Sequence, residues 1–235
     1  MVKLLAEDSE IRKKIKKFYE KRRIETALSL VPSTNEHAYA LDVGCAFGIL
    51  AQSITKKGYL YVGLDTSKEQ IKSAKSINKF IDFLIADAHH LPFRRCFELI
   101  IALELIEHLS EPFSLLKEVK HLLSDEGYLL ISTPNKLSLE GFKGKIYEIV
   151  SGKRWDAWGG RGHKRIFSST EFLNILENYF SIVRTVGYYY LPHIPFIEKL
   201  NDLYITGRHV RYINISHKPL NMFGFQTIVL CKNDT

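Results

Sequence analysis

Between residues 39 and 135 the chain alternates short apolar runs with amphipathic segments of helical period, and this pattern restricts its fold more than any other feature. "YALDVG", "YLYVGLD", "IDFLIAD", "FELIIALE" and "GYLLISTPN" read as strands. "ILAQSITKKG", ending at Gly58, "SKEQIKSAKSI", starting at Ser67 as its N-cap, and "EPFSLLKEVKHLL" read as helices between them. Gly127 is placed in a turn before the fifth strand. Strands separated by helix-length segments return to the sheet in parallel, so helices must cover both faces. The expectation is an α/β, doubly wound sheet.

Past Asn135 the alternation loosens. Residues 136–165 read as an insertion, with a helix around "GKIYEIV" and then "GKRWDAWGGRGHKR", a loop near a site or a connector. "SSTEFLNILENYF" is a helix capped by Ser169 or Thr170, and "FSIVRTVGYYY" and "FGFQTIVLCKN" are two more strands. Residues 190–221, between those strands, form a second insertion. The expectation is a single domain over 1–235 in which both insertions lie near the active site.

The net charge of +7 becomes informative once located. Residues 12–23 carry eight basic residues and one acid, Glu20. Removing them from the totals of 33 and 26 leaves 25 of each sign. Ile11, Ile15 and Phe18 follow a helical period, so residues 1–31 are expected to hold a basic helix whose apolar stripe packs. Its charged side suits solvent, RNA or an anionic membrane surface. Cys45, Cys96 and Cys231 are odd in number and widely spaced, against a disulfide framework or a zinc site. With no signal-peptide pattern and no run of membrane-spanning length, the reading is a cytoplasmic chain.

"LDVGCAFG" places three small residues, Gly44, Ala46 and Gly48, just after the first strand. That turn lies at the carboxyl edge of the sheet, where open α/β sheets bind ligands, and small residues let backbone approach one closely. Asp65 ends the second strand, 17 residues after Gly48, placed to accept from a ribose diol. A dinucleotide turn would read Gly-x-Gly-x-x-Gly and hold a pyrophosphate. Here Asp42 stands two residues before Gly44, and a carboxylate so close repels a pyrophosphate but suits an ammonium or sulfonium cation. That points to S-adenosyl-L-methionine.

"LDVGCAFG", "VGLDTS", "IADAHHLPF" and "FELIIALELIEHL", in this order and spacing, resemble the class I S-adenosylmethionine-dependent methyltransferases over residues 38–135. The resemblance implies a Rossmann-like, seven-stranded sheet, mostly parallel with an antiparallel last strand. By position it implies that Asp42, Gly44, Ala46 and Gly48 surround the cofactor's amino-acid portion and sugar. Asp65 and Thr66 would meet the ribose, Asp87 and Ala88 the adenine, and Leu103 the floor near the methyl group. Ala46 departs from the pattern, which usually has glycine there. His89 and His90 read as surface and packing residues.

Glu104, Glu107 and His108 fall within five residues where the fourth strand gives way to a loop. Oxygen ligands with one nitrogen suit Mg²⁺ or Mn²⁺, and His163 in "GHKRIFS" could supply a fourth ligand. In the other reading, the acids cap the next helix and His108 or His163 orients substrate or acts as a base. The arrangement resembles that of the ubiquinone-pathway O-methyltransferases and the small-RNA terminal 2′-O-methyltransferases. It lacks the Asn/Asp-Pro-Pro-Tyr/Phe stretch of enzymes that methylate base amines. The resemblance therefore implies Glu107, His108 and His163 as catalytic residues and a small-molecule or lipid-like acceptor, with Mg as a candidate second cofactor. The run "GYYYLPHIPFI" fits an apolar acceptor or a peripheral membrane contact, and the basic segment 12–23 leaves RNA open as a partner. A non-catalytic cofactor-binding subunit would be expected to have lost Asp65 or Glu107, and neither is lost.

Overall fold

Side chains along a strand alternate between the two faces of a sheet, and here both faces are apolar. Leu41, Val43, Ile100, Ala102, Leu129 and Ile131 point to one side, Ala40, Leu99, Ile101 and Leu130 to the other. A computed structural model of the chain describes residues 20–21, 23–35, 37–94, 97–152, 162–188 and 225–234. Its strands are β1 (Tyr39–Val43), β2 (Leu60–Asp65), β3 (Asp82–Ile85), β4 (Phe97–Leu103), β5 (Leu123–Pro134), β6 (Ser181–Tyr188) and β7 (Gln226–Lys232). They form one sheet in the order β3-β2-β1-β4-β5-β7-β6. The β1–β2, β2–β3, β1–β4 and β4–β5 pairs are parallel, and β7 runs antiparallel to both β5 and β6. The doubly wound, seven-stranded expectation holds.

The helices are α1 (residues 23–30), α2 (Ala51–Thr55), α3 (Lys68–Ile77), α4 (Pro112–Leu122), α5 (Leu139–Ser151) and α6 (Ser169–Glu177), with a 3-10 turn at Ile106–His108. Helix α4 starts with Pro112, whose missing N–H costs nothing in a first turn. It then buries Leu115, Leu116, Val119 and Leu122, one helical stripe, against the face it shares with α6. Truncating one such leucine to alanine would cost about 2–5 kcal/mol. Residues of α1, α2 and α3, Ala27, Ile54 and Ile71 among them, pack on the opposite face.

Three expectations are corrected. The cap of α6 is Ser168, whose Oγ accepts from the Glu171 N–H at 3.2 Å. Ser169 is buried instead, its N–H donating to Asn135 Oδ1 at 3.1 Å and its hydroxyl paired with Thr227. Helix α2 is only five residues long, because turns occupy 46–50 and 56–58 on either side. Gly127 lies within β5, which starts at Leu123, and it directly follows Glu126 at φ +66°. Residues 12–19 and Arg22 of the basic segment, Cys96, the loop 153–161 and the 190–221 insertion lie outside the described residues.

Candidate active site

The parallel strands end on one edge of the sheet, in the order β3, β2, β1, β4. The chain turns back between β1 and β4, which makes the loop after β1 the place for a ligand. Gly44 and Gly48 there have φ of +76° and +67°, and a Cβ on Gly48 would lie 2.7 Å from the Phe83 ring. A side chain is excluded at Gly48 by both backbone conformation and space.

Ala46, between those glycines, has φ +48°. Its N–H donates to Asp65 Oδ2 at 3.0 Å, while Asp65 Oδ1 accepts from the Ser67 N–H at 2.9 Å. Asp65 thus joins the glycine turn to the cap of α3, since Ser67 Oγ accepts from the Gln70 N–H. Thr66 is exposed beside it. At the end of β3, the Ala86 N–H donates to the Asp65 carbonyl, and Asp87 and Ala88 follow. Hydrogen bonds from the His89 N–H and imidazole hold the Asp87 carboxyl below its ordinary range. Leu103, half-buried, ends β4.

Asp42 is buried on the α1–α3 side of β1, where the Tyr61 hydroxyl donates to its Oδ2 at 2.5 Å. Burial disfavours the carboxylate more than that hydrogen bond favours it, and the pKa is pushed up to about 7.

A second cluster lies just past β4. Glu107, fully buried in the 3-10 turn, accepts from Thr133 Oγ1 at 3.3 Å through Oε2. Its Oε1 is buried with no hydrogen-bond partner among the described residues. Its carbonyl accepts from the N–H groups of Lys164 and Arg165, at 2.8 and 3.2 Å, which brings the loop after α5 onto the turn. His163, carried by that loop, stacks on His108 with ring centroids 4.6 Å apart. Ligand-type atoms of Glu107, His108 and His163 all lie within 4.8 Å of one another. Burial, and then the charge of Glu104, raise the Glu107 pKa well above its usual value.

Glu104 does not join this trio. Its Oε1 accepts from Ser132 Oγ at 2.7 Å, and its Oε2 accepts from Gln226 Nε2 at 2.6 Å and faces Arg23 of α1 at 3.8 Å. Both oxygens are committed to side chains, and the backbone takes φ +54° to present them. Ser132, Thr133, Gln226 and Arg23 were not singled out from sequence. For the first three, the available signal was a polar residue inside an apolar strand. Arg23 merely ended a run of basic residues.

A family model for a methyltransferase domain matches residues 11–179. The ubiquinone biosynthesis O-methyltransferase of Vibrio campbellii is 27% identical over 188 residues, 75% of each chain. That of Pelagibacter ubique is 30% identical over 142 residues, 57% of this chain and 58% of its own. Among solved structures, an S-adenosylmethionine-dependent methyltransferase of Thermotoga maritima superposes with a TM-score of 0.67, at 14% identity, over 99% of this chain and 97% of its own. The N-methyltransferase NodS of Bradyrhizobium japonicum, in complex with S-adenosyl-L-homocysteine, gives a TM-score of 0.61 at 14% identity, over 92% and 88%. The sheet order, the glycine turn and these matches agree: the chain belongs to the methyltransferase domain family and is a class I S-adenosylmethionine-dependent methyltransferase.

Proposed function

We propose that the chain transfers the methyl group of S-adenosyl-L-methionine to a hydroxyl of a small-molecule or lipid-like acceptor. The observation that carries this reading is the Glu107–His108–His163 trio beside the end of β4, where the reactive methyl group of the cofactor is expected. The relatives that are ubiquinone biosynthesis O-methyltransferases support it. In this reading Asp42, Gly44, Ala46, Gly48, Asp65, Thr66, Asp87, Ala88 and Leu103 hold the cofactor. With no metal bound, an imidazole of His108 or His163 takes the hydroxyl proton. The oxygen attacks the methyl carbon in line with the sulfur; the C–O bond forms as the C–S bond breaks, and S-adenosylhomocysteine leaves as a neutral thioether.

Glu107 Oε1, buried without a partner among the described residues, and two adjacent imidazoles fit a divalent cation. Glu107, His108 and His163 would hold it, and its charge would lower the pKa of the acceptor hydroxyl. One carboxylate and two imidazoles suit Mn²⁺, Fe²⁺ or Zn²⁺ better than Mg²⁺, which prefers an all-oxygen shell.

Helix α5, which follows β5 from the same edge of the sheet, supports a lipid-like acceptor. Phe142, Ile149 and Val150 are 64%, 76% and 82% exposed, with Ile146 near them and Lys136 and Lys145 also exposed. Such a face suits peripheral contact with an anionic membrane surface, on the cytoplasmic side in this reading.

The test follows labelled methyl from S-adenosyl-L-methionine into a fractionated cell extract, with the wild type and with Glu107→Ala. The expected result is label in the organic-soluble or small-molecule fraction, lost with Glu107→Ala while S-adenosylhomocysteine still binds. Label confined to RNA, or full turnover by the variant, would overturn the reading.

A further inference from the structure

His89 is placed to act on cofactor selectivity. Its Nδ1 lies 2.7 Å from Asp87 Oδ1, and its own backbone N–H donates to that same oxygen at 2.9 Å. Its other ring nitrogen, Nε2, lies 3.4 Å from Ser110 Oγ, on the loop between the 3-10 turn and α4. With Nδ1–H donating to the carboxylate, Nε2 is left to accept from the Ser110 hydroxyl. The imidazole is thereby fixed at both ends, and its side chain is only 22% exposed while that of Asp87 is 58% exposed.

An exposed carboxylate turns freely about its last bond. Two donors on Oδ1 restrain the Asp87 carboxylate and leave Oδ2 without a hydrogen bond among the described residues, on a side chain that is largely exposed. We propose that His89 is a positioning residue that sets Asp87 to accept from the exocyclic amine of the cofactor's adenine, and so selects a 6-aminopurine over a 6-oxopurine. The inference rests on the reading that Asp87 meets the adenine. Discrimination follows from chemistry: an ionised carboxylate only accepts, and a 6-oxopurine presents an acceptor where adenine presents a donor. Ser110 also ties this end of the cofactor site to the segment that carries Glu107 and His108, three and two residues before it.

The experiment is calorimetric titration of S-adenosylhomocysteine and of S-inosylhomocysteine, its 6-oxo analogue, into the full chain and three variants: His89→Ala, His89→Asn and Asp87→Ala. His89→Ala is expected to weaken S-adenosylhomocysteine binding about fivefold and to leave S-inosylhomocysteine within about twofold. His89→Asn, whose amide N–H can replace Nδ1–H, is expected to keep the wild-type preference. A melting curve of each variant checks that it is folded. Equal weakening of both ligands by His89→Ala would mean a general structural role and would overturn the proposal. Weakening by Asp87→Ala alone would also overturn it, while leaving Asp87 at the adenine. If neither variant weakens S-adenosylhomocysteine, the reading of Asp87 fails and the inference falls with it.

Discussion

Ala46 sits at φ +48°, where an L side chain is crowded and glycine is not. Ala46→Gly is therefore expected to stabilise the protein by about 1 kcal/mol, seen as a higher Tm without ligand. No change or a fall in Tm would show that the turn is relaxed as it stands. Asp42 makes a second prediction. Its folded pKa, about 7, lies above the unfolded value near 3.8, so the folded state holds a proton that the unfolded state releases. The stability linked to that proton is fully present below about pH 4 and is lost as pH rises through 7. The loss is on the order of 4 kcal/mol by pH 8. In the cofactor-free protein, Asp42→Asn should keep the Tyr61 hydrogen bond and flatten the fall in Tm between pH 5 and 8. An unchanged pH profile would place the titration elsewhere. Asp42, Asp65 and Asp87 were legible in the sequence because an acid at the end of an apolar run has its place set by the strand. Glu104 was not, because its partners lie 28 residues away at Ser132, 122 away at Gln226, and far back at Arg23.

Among the elements, the segment 162–168 does most to assemble the trio, and Arg165 anchors it. The guanidinium lies 5.5 Å from the Phe113 ring and 5.0 Å from the Phe167 ring, and donates to Glu171 Oε1 at 2.8 Å. It thereby fastens the loop to α4, to the end of β5 through the Asn135–Phe167 bridge, and to the first turn of α6. The exposed ion pair adds little, and the two ring contacts contribute about 1 kcal/mol together. Arg165→Ala should speed hydrogen exchange at the Lys164 and Arg165 amides and lower turnover, while S-adenosylhomocysteine affinity stays as in the wild type. Unchanged exchange would show that the backbone bonds to Glu107 hold the loop unaided. The strands and most helices could be read from periodicity and caps, since both are local. The arrival of His163 beside His108 could not, because it depends on a carbonyl at Glu107 accepting from residues 57 and 58 positions later.

For the whole molecule, the apolar face of α5 predicts how the protein partitions. Ile149→Asp with Val150→Asp should reduce co-sedimentation with vesicles of mixed neutral and anionic phospholipid about tenfold, leaving S-adenosylhomocysteine affinity unaltered. Equal co-sedimentation of variant and wild type would assign that face to something other than lipid. The placing of β7 has a consequence for how the molecule comes into being. Among the described residues β6 has a single neighbour in the sheet, and that neighbour is the strand made after it, beyond residues 189–225. A chain made only as far as Tyr188 lacks, among the described residues, the strand that joins β6 to β5. The edge of β5, with its unpaired amides and carbonyls, stays open until Gln226–Lys232 emerges and slides in between. An unpaired strand edge is a template for pairing with another chain, so a species with β7 undocked is expected to be prone to aggregation, and the strand that closes the sheet from within is one that follows its neighbours in the sequence.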